Sequence, residues 1–305
     1  MNRSHLFIAI AVIAFSTMEL AGKVIASQLN PFQLTFLRFL IGGLILLPFA
    51  IKEINDRNIR LTFKDFIYFA WTGFLCIIVS MSFFQLAIVY TKASIVAVIF
   101  STNPIFTIPL AYLFLKEKIT KFTFLALAAS LAGIIFMINP FNTTPDLKGI
   151  IFAVLSSLTF SLCSIAIKIR VGKYGALPLN CFSFILGDLM LFILILYSHI
   201  PITKGLNSGN IFTVIYLGVF VTGIGYLCYF LAMAEASAST ASMVFFIKPA
   251  LAPLLSFIIL KESIPLNTLI GIIFILAGAT VLFVSNSRKD LPIRPGFHSG
   301  LWSLF

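Results

Sequence analysis

Six ionisable side chains fall inside long apolar runs of this 305-residue chain: Glu19, Lys23, Arg38, Lys168, Asp188 and Lys248. A charge at the centre of a bilayer costs roughly 2.5 to 3.5 kcal/mol on insertion scales, so such groups mark substrate or ion pathways by default. Four of the six are positive and two negative, and that surplus suits a small-molecule substrate carrying a carboxylate or phosphate. Arg38 and Lys248 lie about seven and ten residues into their runs, too deep for their heads to reach the interface along the stem. Lys23 and Lys168 lie within about a turn of a run's end, where snorkelling competes with a pathway role. Asp188, directly after Gly187, either lines the pathway or neutralises one of the lysines.

Glu19 and Lys23 are four residues apart with the acid first, so they share a helical face in the favourable order. This is either a structural ion pair or a cavity-facing pair that substrate or a proton can break. In the second case protons are the coupling ion, with Glu19 protonated in one half of the cycle. Asn103-Pro104 and Lys248-Pro249 each interrupt an apolar run. A proline removes a backbone donor and frees a carbonyl about a turn earlier. Such matched interruptions point to a midplane binding site. The expected substrate-binding set is therefore Glu19, Lys23, Arg38, Asn103, Asp188 and Lys248. Gln85, Lys168, Tyr226 and Tyr229 form a lower-ranked set: polar groups within apolar runs, where aromatic residues at helical spacing more often serve packing.

The elements that hold these residues are set by composition. Hydrophobic residues make up 60% of the chain, charged residues 10%, and the mean hydropathy is +1.09. Soluble proteins carry roughly 25% charged residues. The apolar runs are about 20 residues long, enough to cross a hydrocarbon core of about 30 Å as helices. They are continuously apolar, which excludes the alternation of a membrane β-barrel. The fold class is thus all-α and polytopic, with the lipid bilayer as solvent. Ten spans are expected: 5–26, 32–51, 66–88, 94–115, 122–139, 149–169, 178–199, 210–233, 239–260 and 266–285. The first reads as a retained helix, because no small-residue cleavage site follows it.

The chain also repeats itself. Shifted by about 145 positions, Ser94, Phe100, Pro104, Leu115-Lys116-Glu117 and Leu131-Ala132-Gly133 fall on Ser239, Phe245, Pro249, Leu260-Lys261-Glu262 and Leu276-Ala277-Gly278. Gly73 falls on Gly218. Five spans per copy is an odd number, so the second copy enters the membrane inverted, as in transporters that rock one half against the other. The expected divisions are a first repeat at 1–146, a second at 147–289, and a tail at 290–305.

The net charge of +11 does not imply nucleic-acid binding, because the basic residues sit between the apolar runs. With the N-terminus inside, thirteen Lys and Arg fall in cytoplasmic segments and only Lys92, Lys148, Lys204 and Lys261 outside. That bias places both termini in the cytoplasm. Cys76, Cys163, Cys181 and Cys228 all lie within apolar runs and read as small buried hydrophobes. His5, His199 and His298 are scattered, so no metal or other cofactor is expected, and no Walker-type loop signals ATP hydrolysis.

In the order and spacing of Lys23, Leu37-Arg38-Phe39, Ser101-Thr102-Asn103-Pro104, the two Leu-Lys-Glu and Leu-Ala-Gly motifs and Lys248-Pro249, the chain resembles EamA-type members of the drug/metabolite transporter superfamily. The resemblance covers about residues 5 to 285. It implies ten helices in two inverted five-helix repeats, and transport without naming a cargo, since similar proteins export amino acids and related metabolites or take up nucleotide-like solutes. One departure is visible: a Trp-Gly pair common in that family's first helix is replaced by Ser16-Thr17. The expected function is a non-enzymatic secondary transporter of an amino acid or other anionic metabolite in a bacterial inner membrane. The alternative is a membrane-embedded enzyme or a component of a flippase for lipid-linked substrates.

Overall fold

The structure, a computed structural model, describes residues 3–91, 93–138, 147–260 and 266–287. Among these residues there are ten helical runs and no strand. Helix α1 comprises Arg3–Ser16 and Met18–Ile25, and α2 is Pro31–Asp56. Helix α3 is built from Phe63–Gly73, a π-helical stretch Phe74–Met81, and Ser82–Tyr90. Helix α4 is Ala93–Phe100 and Asn103–Leu115, α5 is Lys121–Ile138, α6 is Leu147–Tyr174, and α7 is Ala176–Tyr197. Helix α8 is Ile211–Tyr216, a second π-helical stretch Leu217–Gly225, and Tyr226–Glu235. Helix α9 is Ala238–Ala241 and Met243–Leu260, and α10 is Leu266–Ser287. Each expected span is met by one run. Seven are long and apolar enough to cross a membrane, and two shorter apolar stretches lie at Lys121–Gly133 and Leu269–Gly278.

Local chemistry explains the helix boundaries. Asn30 opens α2 by accepting from the Phe32 N–H at 3.0 Å, while Gln33 accepts from the Asn30 N–H at 3.2 Å and Pro31 fills the first turn. This is a reciprocal capping box. At the start of α3, Asp65 Oδ2 accepts from the Thr62 N–H at 2.8 Å and the Thr62 hydroxyl at 2.9 Å. Between α6 and α7 the expected connection shrinks to Gly175, at φ +87°, where only glycine is unstrained. Helix α6 therefore runs on to Tyr174, and Pro178 falls in the first turn of α7, where no intrahelical N–H is needed.

The two proline interruptions do not match. Helix α4 breaks at Ser101-Thr102, whose hydroxyls donate to the Ala97 and Ile99 carbonyls, both at 2.6 Å. The equivalent residues of the second copy are Phe246 and Ile247, which carry no hydroxyl to satisfy freed carbonyls. Accordingly α9 stays helical through Pro249 and breaks earlier, at Ser242.

Packing follows the duplication. Exchanging the copies maps α2 against α7 and α5 against α10 onto themselves. It also turns α2–α8 into α7–α3, α1–α8 into α6–α3, and α1–α9 into α6–α4, all of which are observed. The π-helical stretches of α3 and α8 overlap under the same shift. So do the crossings at which these helices meet their partners. A Cβ on Gly73 would lie 2.1 Å from the Ser183 carbonyl oxygen of α7, and one on Gly187 would lie 2.6 Å from the Gly73 carbonyl oxygen. In the related crossing, a Cβ on Gly218 would lie 2.6 Å from Ile41 Cβ, and one on Gly42 would lie 3.1 Å from the Gly218 carbonyl oxygen.

The connections gather at two ends. At one, Lys173 donates to Asp65 Oδ1 at 2.7 Å, Tyr174 donates to the same oxygen, and Arg57 pairs with Glu53 at 2.5 Å. Also there, Glu117 accepts from the Ala238 and Ser239 N–H groups at 2.9 and 3.2 Å, capping the start of α9. At the other end, Gln33 donates to the Ile202 and Lys204 carbonyls, and Asn210 donates to Gln28 Oε1 at 2.7 Å. Residues 57–62, 116–120, 175 and 236–237 thus lie opposite residues 26–30 and 198–210, as alternating threading requires.

Candidate functional site

Arg38 and Lys248 are both fully buried, with no exposed surface. They come from different copies, α2 and α9, yet both border one cluster of aromatic rings. The Arg38 guanidinium carbon lies 4.9 Å from the Phe39 ring centroid. The Lys248 ammonium lies 5.4 Å from the Phe100 ring and 5.7 Å from Phe84. Tyr226 joins the two sides, 5.7 Å from Phe39 and 5.9 Å from Phe160, which is 5.5 Å from Phe100. Phe245 stacks on Phe15 at 6.0 Å and meets Phe100 edge-on at 5.5 Å. Ring faces carry partial negative charge, so cations within about 6 Å of them are stabilised there even without water.

Tyr226 and Tyr229, ranked low from their spacing, therefore lie inside the cluster. Tyr226 donates to Met81 Sδ at 3.0 Å and Tyr229 to Ser164 Oγ at 3.2 Å. Their period of three could not show which face they turn; the packing of Tyr226–Glu235 on α1, α6 and α7 decides it.

Asn103 is engaged elsewhere. Its Nδ2 donates to the Ser157 carbonyl at 3.0 Å and to Ser161 Oγ at 2.6 Å, and its Oδ1 accepts from Thr107 at 2.9 Å. This polar network fastens α4 to α6. Lys168 donates to the Ala236 carbonyl at 3.1 Å and to that of Met233, so its ammonium sits on the carbonyl end of α8. A cation is favoured at a helix C-terminus. Gln85 is buried in α3. The side chains of Glu19 and Lys23 lie outside those described.

Asp188 is 1% exposed, and neither carboxylate oxygen has a hydrogen-bond partner among the described residues. It forms no ion pair there with Arg38, Lys168 or Lys248. Two neutral groups share this condition: the Asn180 amide two turns back on α7, and the Thr222 hydroxyl on α8. The four cysteines are buried and free.

A cavity of about 320 Å³ lies between α1 and α9, lined by His5, Ile8, Val12, Thr240, Met243 and Ile247. Its lining includes neither deep cation and is almost wholly apolar. At the cluster itself the rings meet one another, with Arg38 bordering them at Phe39 and Lys248 at Phe84 and Phe100.

The EamA-like transporter family pattern matches this chain twice, over residues 2–139 and 147–284. A protein of Clostridium kluyveri named an uncharacterized transporter is 42% identical over 298 residues, covering 95% of this chain and 96% of its own length. Protein PagO of Salmonella typhimurium is 25% identical, covering 95% of this chain and 94% of its own. One solved crystal structure superposes with a TM-score of 0.73 at 17% identity, covering 94% of this chain and 99% of the other; it shows likeness of fold.

Proposed function

The chain belongs to the EamA-like transporter family, and we propose that it is a secondary active transporter of a small anionic metabolite. The cargo class is an amino acid or another carboxylate, exported or exchanged by alternating access around the Arg38–Lys248 centre. One observation supports this most: two fully buried cations, one from each copy, border the same aromatic cluster. A guanidinium offers a planar fork that matches a carboxylate, and an ammonium adds a point charge. Rocking one copy against the other moves Arg38 relative to Lys248 and so changes affinity between the two facing states.

Thermal unfolding of the purified protein, screened against amino acids, organic acids and nucleotides, tests the cargo class. A ligand that binds the folded state raises the apparent Tm. Carboxylates are expected to stabilise and then to be transported in proteoliposomes. Stabilisation and transport confined to neutral or cationic compounds would rule out the anion reading.

The membrane proposed is a bacterial cytoplasmic membrane, with both termini inside. The basic end described above carries Lys52, Arg57, Arg60, Lys64, Lys116, Lys118, Lys121, Arg170 and Lys173, and the positive-inside rule puts it in the cytoplasm. Single cysteines in a cysteine-free background, labelled in intact cells with an impermeant thiol reagent, check this. Labelling is expected in the 198–209 connection and not in 57–62; the reverse pattern would invert the protein.

A further inference from the structure

Asp188 has no place in an anion-binding centre as an ionised group. An unpaired carboxylate in a low-dielectric interior is prohibitively costly, so a buried one is paired, bound to a cation, or protonated. It is 1% exposed with both oxygens unpartnered among the described residues. Four helices pack on α7, namely α2, α3, α6 and α8. Their titratable or charged side chains within the membrane include Arg38, Cys76, Cys163 and Tyr226, with Glu53 and the Asp65–Lys173 pair towards the basic end. None of them forms a hydrogen bond or ion pair with Asp188.

Its position in the fold adds the second element. Asp188 directly follows Gly187, where the backbones of α3 and α7 meet, and the π-helical stretch of α3 begins one residue after Gly73. Stretches with i→i+5 bonds are frequent at functional sites within helices. The copy exchange places Asp188 on Gly43, so the first repeat has no carboxylate at this point, and the acid is a feature of one half alone.

We propose that Asp188 is a proton-binding site of the transport cycle, loaded when α3 and α7 are closed as here and unloaded when they part. The carboxylate takes one proton from the solution on one side, becoming a neutral carboxylic acid, and gives that proton up on the other side. One proton thus enters and one leaves per cycle, with no other reactant. This rests on the transport reading for its purpose, but the site itself can be detected without transport.

The test is pH-difference infrared spectroscopy of the purified protein in lipid nanodiscs, comparing the parent with Asp188→Asn and Asp188→Glu. The parent is expected to lose a protonated-carboxyl C=O band as pH rises. Asp188→Asn should lack that band, and Asp188→Glu should retain one at a shifted frequency. In proteoliposomes, Asp188→Asn should accumulate no more cargo with a pH gradient than without one. Titration spectra identical in parent and Asp188→Asn would overturn the proposal, as would loss of the band on adding sodium at constant pH. A band that persists at every pH, with gradient-driven accumulation intact in Asp188→Asn, would make the acid a structural group. If no cargo is transported by the parent, the function proposed above fails while the titration still decides the proton site.

Discussion

Lys248→Ala is expected to reduce transport to background while the protein still folds and inserts. The ammonium is completely buried and lies against the Phe84 and Phe100 rings, so water does not replace it when it is removed. Truncating one partner of a buried, hydrogen-bonded charge pair costs about 2 to 5 kcal/mol, equivalent to about thirty-fold or more in affinity. Folding should survive, because deleting a buried charge also removes the cost of desolvating it. Arg38→Lys provides the complementary case. It keeps the charge but not the fork, so a cargo held through two parallel hydrogen bonds should bind more weakly. Uptake and counterflow of the stabilising carboxylate in proteoliposomes measure both. Wild-type rates with unchanged apparent affinity in Lys248→Ala would place the anion site elsewhere.

Both deep cations were legible in the sequence because depth in an apolar run can be counted along the chain. The same counting placed the ten helices, since every backbone group in a bilayer must be satisfied internally and a long apolar run has little alternative to helix. What the sequence hid depends on partners remote along the chain. Asn103 stands before Pro104 in an apolar run, and its amide is taken up by Ser157 and Ser161 of α6. Lys168 reads from the sequence as a snorkelling or pathway residue, and its destination is the carbonyl end of α8, 65 positions away. Between the expected spans 149–169 and 178–199 the connection is Gly175 alone, because Pro178 sits inside the first turn of a helix that begins at Ala176. The shift that joins Gly73 to Gly218 also joins Gly42 to Gly187, and these four residues make the two symmetry-related helix crossings.

Those crossings carry the second large effect: Gly187→Ala and Gly172→Ala, the same change in neighbouring helices, are expected to shift stability in opposite directions. A Cβ on Gly187 would lie 2.6, 2.7 and 2.8 Å from the O, C and Cα of Gly73. These are backbone atoms and cannot turn aside as a side-chain tip can, so α3 and α7 must separate. Overpacking of this kind costs typically about 1 to 3 kcal/mol, and more where main chains collide. Gly73→Ala should be at least as damaging, since its Cβ would fall 2.1 Å from the Ser183 carbonyl oxygen. Gly42→Ala should be milder, with its nearest approach 3.0 Å from the Thr222 methyl. A Cβ on Gly172, in α6, meets nothing within 4 Å, so alanine there recovers about 0.5 to 1 kcal/mol of backbone entropy and stabilises the helix. Apparent Tm in detergent should therefore rank Gly172→Ala above the parent, then Gly42→Ala, then Gly187→Ala and Gly73→Ala. If Gly187→Ala melts at or above the parent, α3 and α7 do not touch through their backbones, and the crossing beside Asp188 is looser than described.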